Sequence, residues 1–158
     1  MSTAYVAIGA NIGEPAATAL AAFAALANLP QSRIVRSSSL YRTAPVGLRN
    51  QPDFINAVAA LETTMAPESL LDALLDLETR FGRLRRERNG PRTLDLDLLL
   101  YDNIELDLPR LTLPHPRLHL RAFVLCPLAE VAPGLAIPRR GSITAWLPAV
   151  ANQGIVRL

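Results

Sequence analysis

Residues 83–101 read RLRRERNGPRTLDLDLLLY: five arginines within ten positions, a Gly90-Pro91 turn, then two aspartates two positions apart inside an apolar run. The period of that run sets its geometry. In a strand, residues i and i+2 share a face, so Asp95 and Asp97 project together while Leu94, Leu96 and Leu98 point to the other side. Two carboxylates on one face repel unless a cation lies between them, and guanidinium groups grip phosphate oxygens. Together they are equipment for a polyphosphate carried with Mg²⁺. The competing reading is an arginine-rich surface loop followed by an edge strand with two solvated acids. The run LDLDLLLY is too apolar for an ordinary solvated edge, which favours the metal site.

Working outward, apolar runs predict three further strands, at 4–9, 33–42 and 54–63, beside the one at 94–101. Helical spacing is clearest over 15–29 and 67–81, where Leu70, Leu71, Leu74, Leu75 and Leu77 form an i, i+3, i+4, i+7 stripe. Pro15 and Pro67 announce the two starts, and Gly82 follows the second end. A third helix is predicted from about Leu120 through Glu130, and a short fourth around 142–146. The order β-α-β-β-α-β predicts an α+β, ferredoxin-like core, an antiparallel sheet with its helices on one face, followed by a C-terminal extension. Proline-rich loops at 43–52 and 108–116, with 82–92, are candidate lids over one cleft.

The chain has 158 residues, half of them hydrophobic, and is read as one domain with a full core. Its one cysteine, Cys126, sits in the apolar run FVLCPLAEV and reads as core filler in a reducing compartment. The first residues lack a basic segment, and the apolar stretch at 16–29 is too short to span a bilayer, so a cytoplasmic protein without membrane association is expected. All sixteen basic residues are arginine. The lack of lysine excludes a GxxxxGK[ST] phosphate loop, a lysine Schiff base and a lysine clamp on ATP. Basic charge is concentrated at 83–92 instead of forming a stripe, which favours one phosphate site over a nucleic-acid surface.

The run Arg88-Asn89-Gly90-Pro91-Arg92-Thr93-Leu94-Asp95-Leu96-Asp97 resembles the signature of the 6-hydroxymethyl-7,8-dihydropterin pyrophosphokinase family. Four further segments agree in order and spacing: YVAIGAN at 5–11, SLYRTAP at 39–45, QPDFINA at 51–57, and LPHP at 113–116 followed by Arg121-Ala122-Phe123. The resemblance covers nearly the whole chain and implies a monofunctional enzyme of folate biosynthesis, active as a monomer. That family transfers pyrophosphate from ATP to the pterin hydroxymethyl group and releases AMP. By resemblance, Asp95 and Asp97 hold two Mg²⁺ ions, and Arg83 and Arg92 contact the phosphates during transfer. Glu78, Arg85, Arg88, Arg110, Thr112 and His115 match ATP-side positions, although a helix-end acid has an ordinary solvated reading too. Phe54 and Phe123 match a stacking pair for the flat pterin, and Asn56 matches the residue that reads its edge. Thr43, Ala44 and Val46 match the pocket wall, with Arg121 at its rim. Tyr41, Gly9 and Asn11 are read as scaffold. The chain departs from many relatives at Asn89, where they carry an aromatic, and at Pro116, where they carry tyrosine.

Two other classes compete. A Mg²⁺-dependent nuclease or phosphohydrolase could use an Asp-x-Asp pair, but would want further acids than Glu87 near the site. An RNA-binding sheet would want a cluster of exposed aromatics, which the candidate strands lack.

Overall fold

The computed structural model describes residues 1–45, 50–82 and 93–158. Its main sheet contains β1 (Ser2–Ala10), β2 (Ser32–Ser37), β3 (Tyr41–Thr43), β4 (Phe54–Thr63), β5 (Asp95–Tyr101) and β10 (Ile155–Arg157). Two small hairpins, β6 (Leu106–Leu108) with β7 (Leu111–Leu113) and β8 (Ala136–Ile137) with β9 (Gly141–Ser142), lie between β5 and β10 in sequence. The sheet order is β10-β3-β4-β1-β5, with β2 also paired to β4, and each of these pairings is antiparallel.

Two helices cover one face. Helix α1 (Pro15–Ala27) and helix α2 (Pro67–Arg80) both carry proline in the first turn, where a missing N–H costs nothing, and Glu68 and Arg80 sit at the favourable ends of the α2 dipole. Gly82, with φ of 80°, takes the left-handed conformation just past α2. Ala19, Ala22 and Leu26 of α1 and Leu70, Leu74 and Leu77 of α2 pack on Ala4, Val6, Ile8, Ala57, Ala59, Leu61, Leu96 and Leu98. Alternation sends the intervening strand residues to the other face, where helix α3 (Ala122–Val131) and the 3-10 segment Ile143–Val150 build a second core with Val58, Leu99, Leu100, Leu118 and Leu125. A register shift between Tyr5 and Val6 leaves Leu99 as an extra residue, so the alternation of β5 inverts there.

The antiparallel sheet and its helices match expectation, with two differences. Helices occupy both faces, because α3 and the segments after it carry enough apolar surface to need a sheet face of their own. The strand expected over 33–42 is broken into β2 and β3. The break is held by alternative partners: Ser38 exchanges bonds with Val58, its N–H donating to the Val58 carbonyl at 2.9 Å and its Oγ accepting from the Val58 N–H at 2.8 Å. The Ser39 N–H and Oγ donate to the Glu130 carboxylate of α3, each at 3.0 Å. Among the described residues no helix is long and apolar enough to cross a membrane.

Candidate active site

At one end of the sheet, on the α3 face, lies a cleft of about 630 Å³. Its floor is set by register. Tyr41 of β3, Asn56 of β4, Gly9 of β1 and Asp95 of β5 stand in one row across four strands. The next residue on the same face of β5 is Asp97, paired with Ala7. Leu96 and Leu98 are buried on the opposite face, so the two carboxylates project together into the cleft as the period-two pattern requires. Gly9 keeps the floor open: a Cβ there would lie 3.3 Å from Asn56 Oδ1.

Asn56 and Thr43 are both buried, and Asn56 Nδ2 donates to Thr43 Oγ1 at 2.8 Å. That bond fixes the plane of the amide. Phe54, paired with Thr43, and Phe123, in the first turn of α3, both line the cleft, as do Ala44 and Arg121. The Arg121 guanidinium carbon lies 5.4 Å from the centre of the Phe123 ring, a cation–π distance. Burial pulls the Arg121 pKa below the ordinary arginine value and Asp97 opposes it; Arg121 and both acids line the same cleft. Asn11, read as scaffold, is buried at the end of β1, and its Nδ2 donates to Gln51 Oε1 and the Pro52 carbonyl, fixing the approach of the loop to β4.

The described candidates for the nucleotide side, Glu78, Arg110, Thr112 and His115, are not among the residues lining this cleft, and two of them bond the edge of β5. Among the described residues β5 ends the sheet, and other groups take its outward amide groups. The Leu96 N–H donates to Glu78 Oε2 at 2.7 Å, and the Leu99 carbonyl accepts from the His115 N–H at 2.8 Å. Glu78 is only 3% exposed, which removes the solvated reading of this acid. Its position was legible, since Leu70, Leu74, Leu77 and Glu78 fall on one helical face. His115 Nδ1 accepts from the Arg117 N–H at 3.2 Å, which leaves the ring proton on Nε2. Burial, then Arg121 and Arg117, lower its pKa to about 4 against the opposing pull of Asp95. At neutral pH His115 is therefore an uncharged Nε2–H donor. Thr112 is half-buried in β7, opposite Asp107, and Arg110, in the β6–β7 turn, pairs with Asp72 of α2. Arg83, Arg85, Arg88, Arg92 and Val46 lie outside the described residues.

The sequence reading missed Arg117, Leu120, Gln153 and Gly154, all of which line the cleft. Arg117 could have been suspected as a cation two residues past His115; the others reach the site only through tertiary folding. Cys126 is half-buried, with its pKa raised by burial, the behaviour of an inert thiol in apolar surroundings.

The donor set bears on a metal. Among the described residues no three His, Cys, Asp or Glu side chains converge as a cage. A pair of cleft-facing carboxylates instead suits Mg²⁺, which keeps waters and shares its remaining positions with substrate phosphates.

Residues 5–133 match the family model for 7,8-dihydro-6-hydroxymethylpterin-pyrophosphokinase (HPPK). A 2-amino-4-hydroxy-6-hydroxymethyldihydropteridine pyrophosphokinase of Pseudomonas aeruginosa is 49% identical over 154 residues, covering 98% of this chain and 95% of its own. The enzyme of the same name from Haemophilus influenzae is 42% identical over 158 residues, covering 100% and 99%. Among solved structures, an HPPK-DHPS in complex with substrates superposes with a TM-score of 0.73 at 13% identity, over 94% of this chain. A Plasmodium falciparum HPPK-DHPS with pterin and p-hydrobenzoate gives a TM-score of 0.72 at 15% identity, also over 94%. At those identities the likeness is one of fold, and this chain spans 43% and 44% of the two solved chains. With a family model matched over most of its length and relatives near half identical end to end, the chain belongs to the 7,8-dihydro-6-hydroxymethylpterin-pyrophosphokinase family.

Proposed function

We propose that this chain transfers pyrophosphate from ATP to the hydroxyl of 6-hydroxymethyl-7,8-dihydropterin, giving the pterin diphosphate and AMP for folate biosynthesis. The observation that carries the reading is the convergence of two kinds of chemistry in one cleft: Asp95 and Asp97 at one side, and Phe54, Asn56 and Phe123 at the other. A flat heteroaromatic ring needs two apolar faces and an edge of paired donors and acceptors. The two phenylalanines are suited to the faces, and the Asn56 amide, held by Thr43, to the edge. Strand order and the β-α-β-β-α-β path, with β2 and β3 together as the second strand, support a ferredoxin-like core beneath the site.

In the transfer, the pterin hydroxyl oxygen forms a bond to the β-phosphorus as the bond from that phosphorus to the α–β bridging oxygen breaks. AMP departs with the bridging oxygen, and the hydroxyl proton passes to solvent. Asp95 and Asp97 would hold Mg²⁺, two ions in this reading, and the bound metal would supply neutralisation of triphosphate charge and a lower pKa for the attacking hydroxyl. Arg121 adds fixed positive charge beside the acids. His115 offers a neutral N–H to a phosphate oxygen, a donor that carries no proton-transfer burden at neutral pH. Arg83 and Arg92 are assigned to the transferring phosphates, Arg85 and Arg88 to the nucleotide, and Arg110, Thr112 and Glu78 to its surroundings or support. Glu78 acts through the Leu96 N–H, between the two metal-binding positions.

The test is an incubation with ATP, Mg²⁺ and the pterin, followed by product analysis. AMP and pterin diphosphate in equal amounts are expected. Formation of ADP, or of free phosphate in proportion to ATP consumed, would replace this reading with a simple kinase or a hydrolase.

A further inference from the structure

The family model ends at residue 133, yet the wall of the cleft does not. Gln153 and Gly154 line it as well. Helix α3 begins with Arg121 as its N-cap, in extended conformation (φ −125°, ψ 116°), and the arginine side chain makes no capping hydrogen bond. The first turn of a helix presents N–H groups without helical partners, so a helix starting at a cleft wall needs acceptors from elsewhere. Gln153 supplies one. Its Oε1 accepts the Ala122 N–H at 2.9 Å, and its Nε2 donates to the Leu120 carbonyl, also at 2.9 Å.

The two bonds straddle Arg121. A primary amide that both accepts and donates across one residue mimics the edge of a neighbouring strand and holds that residue extended. Gln153 is itself anchored, its N–H donating to the Val150 carbonyl at 3.0 Å. The turn before Arg121 is held by the same C-terminal extension at a second point, where Trp146 meets His119 edge to face with ring centres 4.8 Å apart.

We propose that Gln153 is a positioning residue for the pterin side of the cleft: by bracketing Arg121 it sets the direction in which Arg121 and Phe123 leave the chain. The C-terminal extension is thereby part of the substrate pocket as well as a cover for the sheet. The inference rests on the pterin reading of the cleft. It concerns the wall formed by Leu120, Arg121 and Phe123, whereas Asp95 and Asp97 stand on β5.

The consequence is a division between the two substrates. Gln153→Met keeps the length of the side chain and removes both hydrogen bonds. Gln153→Glu keeps the acceptor for Ala122 and removes the donor to Leu120. Loss of one part-buried and one exposed hydrogen bond is expected to raise the KM for 6-hydroxymethyl-7,8-dihydropterin about fivefold to tenfold in Gln153→Met, and by roughly half that factor in Gln153→Glu. The KM for MgATP should stay within about twofold of the parent, because the described nucleotide-side residues stand at the edge of β5 and not on this wall.

Steady-state kinetics with each substrate varied in turn, alongside thermal melting, decide the matter on the full chain. A pterin KM within twofold of the parent in a folded variant overturns the proposal. So does a parallel loss for pterin and MgATP that tracks a falling Tm, the pattern of a merely structural bond. If Gln153→Met melts below the assay temperature, Gln153→Glu carries the same two criteria. A parent protein that forms no AMP from ATP and pterin overturns the functional reading instead, and the role assigned to Gln153 falls with it.

Discussion

Replacing Glu78 tests how the sheet edge supports the acid pair. Its carboxylate, 3% exposed on the core face of α2, accepts the Leu96 N–H at 2.7 Å, between Asp95 and Asp97 on the strand that ends the sheet. In Glu78→Ala that N–H loses this acceptor, and a void opens beside Leu74 and Leu77. A hydrogen bond to a charged group contributes about 1.5–3 kcal/mol, and the missing side-chain atoms add to the loss, so a destabilisation of about 3 kcal/mol is expected. For a chain of this size that lowers Tm by roughly 6–12 °C. Activity should fall further than stability alone dictates, because a displacement of about 1 Å at positions 95 and 97 can cost about 100-fold in rate. Glu78→Gln keeps an amide oxygen in the same place and should recover most of both quantities. Thermal melting and AMP formation at a temperature where every variant is folded measure the two effects. An alanine variant with parental Tm and turnover would refute the support role. A glutamine variant as damaged as the alanine one would show that negative charge matters at this position, and acceptance of the N–H does not.

Asp97→Asn should abolish turnover by several orders of magnitude while leaving the melting temperature within a few degrees, because the amide keeps the shape and loses the anionic ligand; near-normal turnover would remove the metal from Asp97. Phe123→Ala should weaken pterin binding by about 1–3 kcal/mol, the contribution of one stacking face, and leave MgATP binding unchanged, as calorimetric titration of each ligand would measure. The Tyr41–Glu130 pair predicts a pH signature. Burial raises the Glu130 pKa, but bonds from Tyr41 (2.7 Å) and Ser39, with the Arg157 charge, outweigh it and hold the pKa below the ordinary glutamate value. Burial and then the bond to Glu130 raise Tyr41 above the ordinary tyrosine value. The Glu130 contribution is thus present above the unfolded glutamate pKa of about 4.3 and is lost as pH falls through the lower folded value. That of Tyr41 is present below about pH 10 and is lost as pH rises through its higher folded value. Melting temperature against pH should show a shallower acid limb in Glu130→Gln, and an unchanged limb would contradict the assignment.

The features that sequence made legible are those whose physics is local. Proline at the first helical turn located α1 and α2, and strict alternation located the two acids on one face of β5. The features that escaped depend on partners distant in the chain. Strand β10 is three residues long, too short for a period, and exists because Ile155, Val156 and Arg157 find β3. The break at 38–40 owes its shape to Glu130, some ninety positions later. Glu78 sat on the apolar stripe of α2 from the start, but only the exposed edge of β5 explains why an acid belongs there. The reach of Gln153 to either side of Arg121 has no trace in spacing at all.

The row Tyr41–Asn56–Gly9–Asp95 makes the hydrogen-bonded sheet a ruler. Asn56 and Asp95 stand two strand spacings apart, about 10 Å between their Cα atoms, a separation fixed by backbone geometry that side-chain substitution cannot retune. If the amide reads one end of the substrate and the acids hold the reacting end, tolerance for length is built into the least deformable part of the molecule. An alcohol moved outward by one methylene would overshoot by more than the sheet can yield. Adaptation to longer or shorter substrates would then have to change the ring-binding end, the walls at Phe54, Phe123 and Arg121, while the graduation between recognition and reaction stayed constant.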